Sequence, residues 1–270
     1  MNLLKLILIN MNPLKHFDKD TFVASTYFDG LTELRNVTRT IKGCTYTHNE
    51  LGFRADSIYK EGFKIMTIGC SNTEGNSVDD KDAWPAILSS MIPNSVNINL
   101  GHGGRSNDYI CRTLLTFYDF FKPDLVIILY THLHRREIYT EENGVEGFIP
   151  THAYSYFSRT ANGIKKQSML FKLQNDNEDY INWYKNHQLI KLFLESKKCN
   201  WIWDGNWQVR KHYTDNNMFD KDYCNMTDKT KNRLIDNGVD GVHPGPKHNL
   251  QYANDLYDYI IHNLLITNKL

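Results

Sequence analysis

Charge of one sign is what this sequence lacks most plainly: 31 Lys and Arg stand against 31 Asp and Glu, for a net charge of zero. A surface built to neutralise phosphates carries surplus basic residues, so no nucleic-acid partner is expected. Long apolar runs are missing too. Nothing reaches the roughly 18 consecutive apolar residues that a spanning helix requires, and no membrane association is expected. The run Leu3, Leu4, Leu6, Ile7, Leu8, Ile9 within residues 1–11 is broken by Lys5 and followed by no small-residue cleavage site. It reads as an N-terminal strand or strand-like arm, with a degenerate secretion signal as the alternative. The cysteines, Cys44, Cys70, Cys111, Cys199 and Cys224, are odd in number and form no C-x-x-C pair. That argues against a disulfide framework and against a cysteine zinc site, and suits a reducing compartment. A soluble protein, intracellular or virus-associated, is expected; the abundance of Asn, Lys and Ile points to an AT-rich genome. Internal repeats and low-complexity tracts are absent.

What is present is the pattern of an α/β core. At 270 residues and 41% hydrophobic content the chain can bury one such core with some decoration. Residues 1–60 lack helical periodicity and carry turn residues at Asp29-Gly30 and from Asn49 to Gly52, so they read as an arm packed on the core. Residues 61–270 read as the α/β domain. Phe63 to Ile68 predicts a short buried strand ending at Gly69. A helix is expected from Asp82 to Met91, opened by acidic residues and Pro85, and a second strand at Ser95 to Leu100. An amphipathic helix follows from about Asn107 to Phe121, stopped by Pro123. Asp124 to Tyr130 fits a central parallel strand covered on both faces. A helix over Glu178 to Cys199, a strand over Asn200 to Trp203 and a closing helix over Lys247 to Leu265 complete the set. Strands alternating with helices imply a three-layer α/β/α sandwich with a central parallel sheet. The pattern lapses between about 135 and 176, which reads as an insertion at the ligand-binding edge.

Candidate chemistry clusters at that edge. Ser71, in Gly69-Cys70-Ser71, sits at a strand-to-helix turn that can expose a hydroxyl and aim backbone N–H groups at a developing charge. Asn99-Leu100-Gly101-His102-Gly103-Gly104 is a glycine-rich turn that lets amides approach a ligand. In Asp240-Gly241-Val242-His243, a carboxylate three residues ahead of an imidazole can hold its Nδ1–H and leave Nε2 as a general base. Each is modest alone: such serines commonly cap helices, and such glycines and histidines commonly sit in turns.

In this order and placement the motifs resemble the SGNH (GDSL-like) hydrolase family, over roughly residues 49 to 262. The likeness includes Asn49-Glu50-Leu51-Gly52-Phe53-Arg54, similar to an N-x-x-G-F-R segment ahead of the nucleophile strand. The resemblance implies a flavodoxin-like sheet, Ser71 as nucleophile, His243 as base and Asp240 as its orienting partner. It also implies an oxyanion hole from the N–H groups of Ser71 and Gly104, and neither metal nor organic cofactor. The family's Gly-x-Asn-Asp block has no counterpart, because Tyr130-Thr131-His132-Leu133-His134-Arg135 contains no asparagine. Losing one such donor costs on the order of a hundredfold in rate. Thr131, His132 and His134 are the candidate substitutes, and His132 is taken as the third donor for its position near the strand end.

Arg54, Arg105 and Arg135 are candidates for holding substrate, against the alternative of solvated charges. Trp201, Trp203, Trp207, Tyr154 and Tyr156 could stack on sugar rings, with core packing as the default. The expected activity is a serine esterase removing a small acyl group, such as acetyl, from a carbohydrate. Its partner would be a small-molecule or glycan ester; oligomeric state is not read. Two other functions stand beside it. A catalytically silent fold of this type would bind glycans or serve as a structural piece. A metal site would use His132 and His134 with His102 or Asp240, although the family resemblance implies no metal.

Overall fold

The computed structural model describes residues 31–142, 145–151, 175–206, 208–209, 222–224 and 234–263. The apolar run at 1–11 and the aromatic candidates Trp207, Tyr154 and Tyr156 lie outside them.

The first described elements are a 3-10 turn, Thr32–Leu34, and an antiparallel hairpin of β1 (Thr38–Ile41) and β2 (Cys44–Thr47). The core begins with β3 (Phe63–Ile68), which has the boundaries that its apolar run predicts. A one-turn helix α1 (Ser71–Glu74) follows directly. The predicted helix after it splits in two: Asp80–Asp82 is a separate 3-10 turn, and α2 is Trp84–Met91, with proline in its opening turn. Proline lacks the N–H that a first turn leaves unpaired anyway, so it fits there.

Next come β4 (Ser95–Asn99) and α3 (Asn107–Phe121), the latter capped by Ser106, whose side chain accepts from Tyr109 N. Lys122 ends α3 at φ 49°, and Pro123 forbids continuation. All six residues of β5 (Leu125–Tyr130) are buried, as a strand covered on both faces requires. The 135–176 stretch holds an antiparallel hairpin, β6 (Arg136–Glu142) and β7 (Val145–Thr151), where sequence periodicity offered only an insertion. Then follow α4 (Asp176–Lys197), β8 (Asn200–Gly205) and α5 (Pro246–Asn263).

β4, β3, β5 and β8 form one parallel sheet in that order. Alternation along β5 divides the core. Val126, Ile128 and Tyr130 join Met66, Ile68, Leu114, Phe117, Trp183 and Ile190 under α3 and α4. Leu125, Ile127 and Leu129 join Ile65, Leu88, Leu256 and Ile260 under α2 and α5. The result is the expected three-layer α/β/α sandwich, with each fully buried aliphatic side chain worth about 1.5–3 kcal/mol. Trp201 and Trp203 belong to the first of these cores and are packing residues. The strand order reverses at β3, so the crevice for a ligand falls at the carboxyl ends of β3 and β5.

Candidate active site

A cavity of about 310 Å³ opens at that edge, bordered by Ser71, Asn72, Thr131, His132, Arg135 and His243 on its polar side. Trp84, Leu129, Pro244 and Tyr252 border it as an apolar wall. The turn after β3, the turn after β5 and the loop ahead of α5 meet here, with α2, α5 and the turn after β8.

Ser71 is the first residue of α1, with the carbonyl of Cys70 accepting from Thr73 N and Glu74 N at 3.0 and 2.9 Å. Ser71 N–H heads the helix and has no intrahelical acceptor. Its hydroxyl lies 3.9 Å from Cys70 Sγ and makes no hydrogen bond to His243. Nucleophile-to-base contacts commonly tighten only when substrate is bound.

Asp240 and His243 form a tight pair, with Nδ1 2.5 Å from Oδ2. Oδ1 of Asp240 accepts from the backbone N–H groups of Val242 and His243 at 2.9 and 3.0 Å. Burial pushes the Asp240 carboxyl upward, but the His243 backbone and side-chain hydrogen bonds, with Ser77 and Val242, outweigh it and hold it well below the ordinary carboxylate range. An ionised Asp240 fixes the proton on Nδ1, which leaves Nε2 basic. The loop is closed by Gly238 N–H on the His243 carbonyl at 2.8 Å, and Asp236 accepts from Lys247 N and His248 N in the first turn of α5 at 3.1 and 2.8 Å.

Several supporting residues were not singled out by sequence reasoning. Asn249 accepts from Trp84 N at 3.1 Å and donates to the carbonyls of Pro244 and Gly245, joining α2, α5 and the His243 loop. Asn107 accepts from Thr131 N at 2.9 Å and donates to the Thr131 carbonyl at 3.3 Å, clamping the turn after β5. Gln208 Oε1 meets His132 Nδ1 at 3.1 Å. Tyr252 donates to the buried Asp204 at 3.2 Å; burial, then the Asp204 charge, raises its phenol well above the ordinary range. None of these side chains belongs to a recognisable local motif, because each acts on a partner far away in the chain.

The remaining sequence candidates fall elsewhere. Gly104, in the left-handed region at φ 74°, does not border the cavity, and neither do Arg54 and Arg105. The Arg54 side chain is 3% exposed. Its donors are occupied by the carbonyls of Thr45, Glu74, Gly75 and Val78 and by Asp80. It holds the chain together rather than facing a ligand. Arg105 is buried over the Tyr109 ring. His102 pairs with Glu74 at 3.7 Å. His132 and His134 have ring centroids 5.4 Å apart, but among the described residues no three His, Cys, Asp or Glu side chains converge as metal ligands. No disulfide joins the cysteines, and no helix among the described residues is long and apolar enough to cross a membrane.

No protein-family model matches the chain, and no curated protein matches it significantly. Among solved structures, it is similar to the psychrotrophic esterase EstA from Pseudoalteromonas sp. at 13% identity and TM-score 0.46, over 75% of this chain and 99% of that one. It is similar to the Clostridium thermocellum family 3 carbohydrate esterase at 14% identity and TM-score 0.36, over 78% of this chain and all of that one (100%). A member of the lipolytic protein G-D-S-L family from Veillonella parvula DSM 2008 is similar at 14% identity and TM-score 0.41, over 73% and 98% of the two chains.

Proposed function

We propose that this protein is a serine hydrolase that cleaves small acyl esters, with Ser71 as nucleophile, His243 as general base and acid, and Asp240 as its orienting carboxylate. One observation carries the reading: Ser71 and an Asp240-braced His243, 172 positions apart in sequence numbering, border a single cavity at the sheet's carboxyl edge.

Ser71 Oγ attacks the ester carbonyl carbon while its proton passes to His243 Nε2. The carbonyl π electrons move to oxygen, and the Ser71 N–H donates to that oxyanion. Collapse expels the alcohol, which takes the proton from His243, and leaves an acyl-serine. Water attacks the acyl carbon by the same route in reverse, releasing the acid and restoring Ser71. The apolar wall of Trp84, Leu129 and Tyr252 favours a short acyl group at this volume. Acetyl on a carbohydrate is the substrate we favour.

A fluorophosphonate probe should label the wild type, and Ser71→Ala should abolish labelling. A wild type that stays unlabelled where a reference serine esterase reacts would sink the proposal. Glycan binding without turnover of p-nitrophenyl acetate would instead favour a silent fold, the reading motivated by the absent asparagine after β5.

A further inference from the structure

We propose that Arg135 supplies the oxyanion donor that the turn after β5 otherwise lacks, making it a catalytic residue. The inference rests on the ester hydrolysis proposed above.

The position of the guanidinium carries it. Arg135 donates from one terminal nitrogen, Nη1, to Thr131 Oγ1 at 2.9 Å and to the Arg105 carbonyl at 3.4 Å. Thr131 follows β5 and Arg105 follows β4, and in the sheet these strands flank β3, whose carboxyl end carries Ser71. A guanidinium that touches both bridges the two turns on either side of the nucleophile. Arg135 also borders the same cavity as Ser71 and His243. A charged donor held at the wall of this cavity offers an oxyanion formed there a charge-assisted hydrogen bond.

His132, at the position nearest the missing asparagine, has the wrong tautomer for the task. Gln208 Oε1 receives Leu133 N–H at 3.4 Å and faces His132 Nδ1 at 3.1 Å. An atom that accepts from a backbone N–H is the carbonyl end of the amide, so Nδ1 carries the proton. Burial, then the Arg135 charge, lowers the His132 imidazole, so the ring is neutral and its Nε2 accepts rather than donates. That nitrogen suits a hydroxyl of the alcohol part. Asn206 also borders the cavity with an unpartnered Nδ2, but it follows β8, which lies beyond β5 from the nucleophile strand. Arginine keeps its charge at every working pH and gives a charge-assisted donor in place of a neutral amide.

The test uses the full chain with p-nitrophenyl acetate, a neutral ester that needs no charged partner for binding. Arg135→Met should lower kcat about 10²–10³-fold with KM changed by less than about threefold. Millimolar methylguanidinium should restore part of that kcat, and Arg135→Lys should fall between the two. If Arg135→Met loses its fold by circular dichroism, Arg135→Lys decides by the same split between kcat and KM. A wild type that turns over while both Arg135 variants keep kcat overturns this inference alone. So does a loss confined to His132→Ala or Asn206→Ala, or an effect limited to KM for anionic esters such as succinyl esters. A wild type without turnover, indistinguishable from Ser71→Ala, overturns the esterase reading and this inference with it.

Discussion

The backbone N–H of Val239 donates to the carbonyl of Ser77 at 3.1 Å. This bond ties the segment that follows α1 to the loop that carries Asp240 and His243. The Ser77 hydroxyl lies close enough to the Asp240 carboxylate to stabilise its charge. Ser77 is itself held at φ 72°, with its N–H on the Tyr46 hydroxyl at 2.7 Å. The Ser71 segment and the Asp240–His243 loop are thus both braced from the first hairpin through Ser77.

On the proposed reaction, Asp240→Asn should leave the loop in place but remove the charge that fixes the His243 tautomer. The expected loss in kcat is about 10³–10⁴-fold with little change in KM. Steady-state kinetics on p-nitrophenyl acetate reads it; a change of less than about tenfold would dissociate Asp240 from the base.

Asp240 also links stability to pH. Its carboxyl is held below its unfolded value, so its contribution is present above that value, near pH 4, and is lost as pH falls through the lower folded value. Urea midpoints of the wild type should therefore decline below about pH 4. Asp240→Asn should flatten that decline, and identical pH profiles for the two would contradict the assignment.

Arg54 is expected to report stability and not catalysis. Arg54→Met removes the ion pair to Asp80, which keeps Thr47 N, and strands the carbonyls of Thr45 and Val78, the three being met by Arg54 at 2.5, 2.9 and 2.8 Å. The loss should be about 1–3 kcal/mol by urea denaturation, from the unsatisfied buried carbonyls. Any fraction that remains folded should keep the wild-type KM.

Gly101 allows the turn after β4 to press against α1. A methyl group there would stand 2.6 Å from Glu74 N and 2.8 Å from the Thr73 carbonyl carbon. Gly101→Ala must push α1 aside, so it should cost about 1–3 kcal/mol and also lower kcat. Gly43→Ala is a control for added bulk, because nothing lies within 4 Å of its position. There the φ of 88° contributes strain without displacing Ser71.

The sequence alone determined the α/β/α layering and the strands β3 and β5; in β5, burial on both faces leaves an uninterrupted apolar run that needs no partner to be recognised. It also determined the Asp240–His243 pair, whose three-residue spacing puts both groups in one turn. Only the tertiary structure decided which charged side chains face the cavity. Arg54, Arg105 and Arg135 are alike as residues, and burial turns Arg54 onto backbone carbonyls while the bridge from Thr131 to Arg105 holds Arg135 at the cavity. The contact between His132 and Gln208 was equally invisible, since the two lie 76 residues apart. Local pattern sets what a segment can form; the direction of a polar side chain is set by whichever distant acceptor the fold delivers to it.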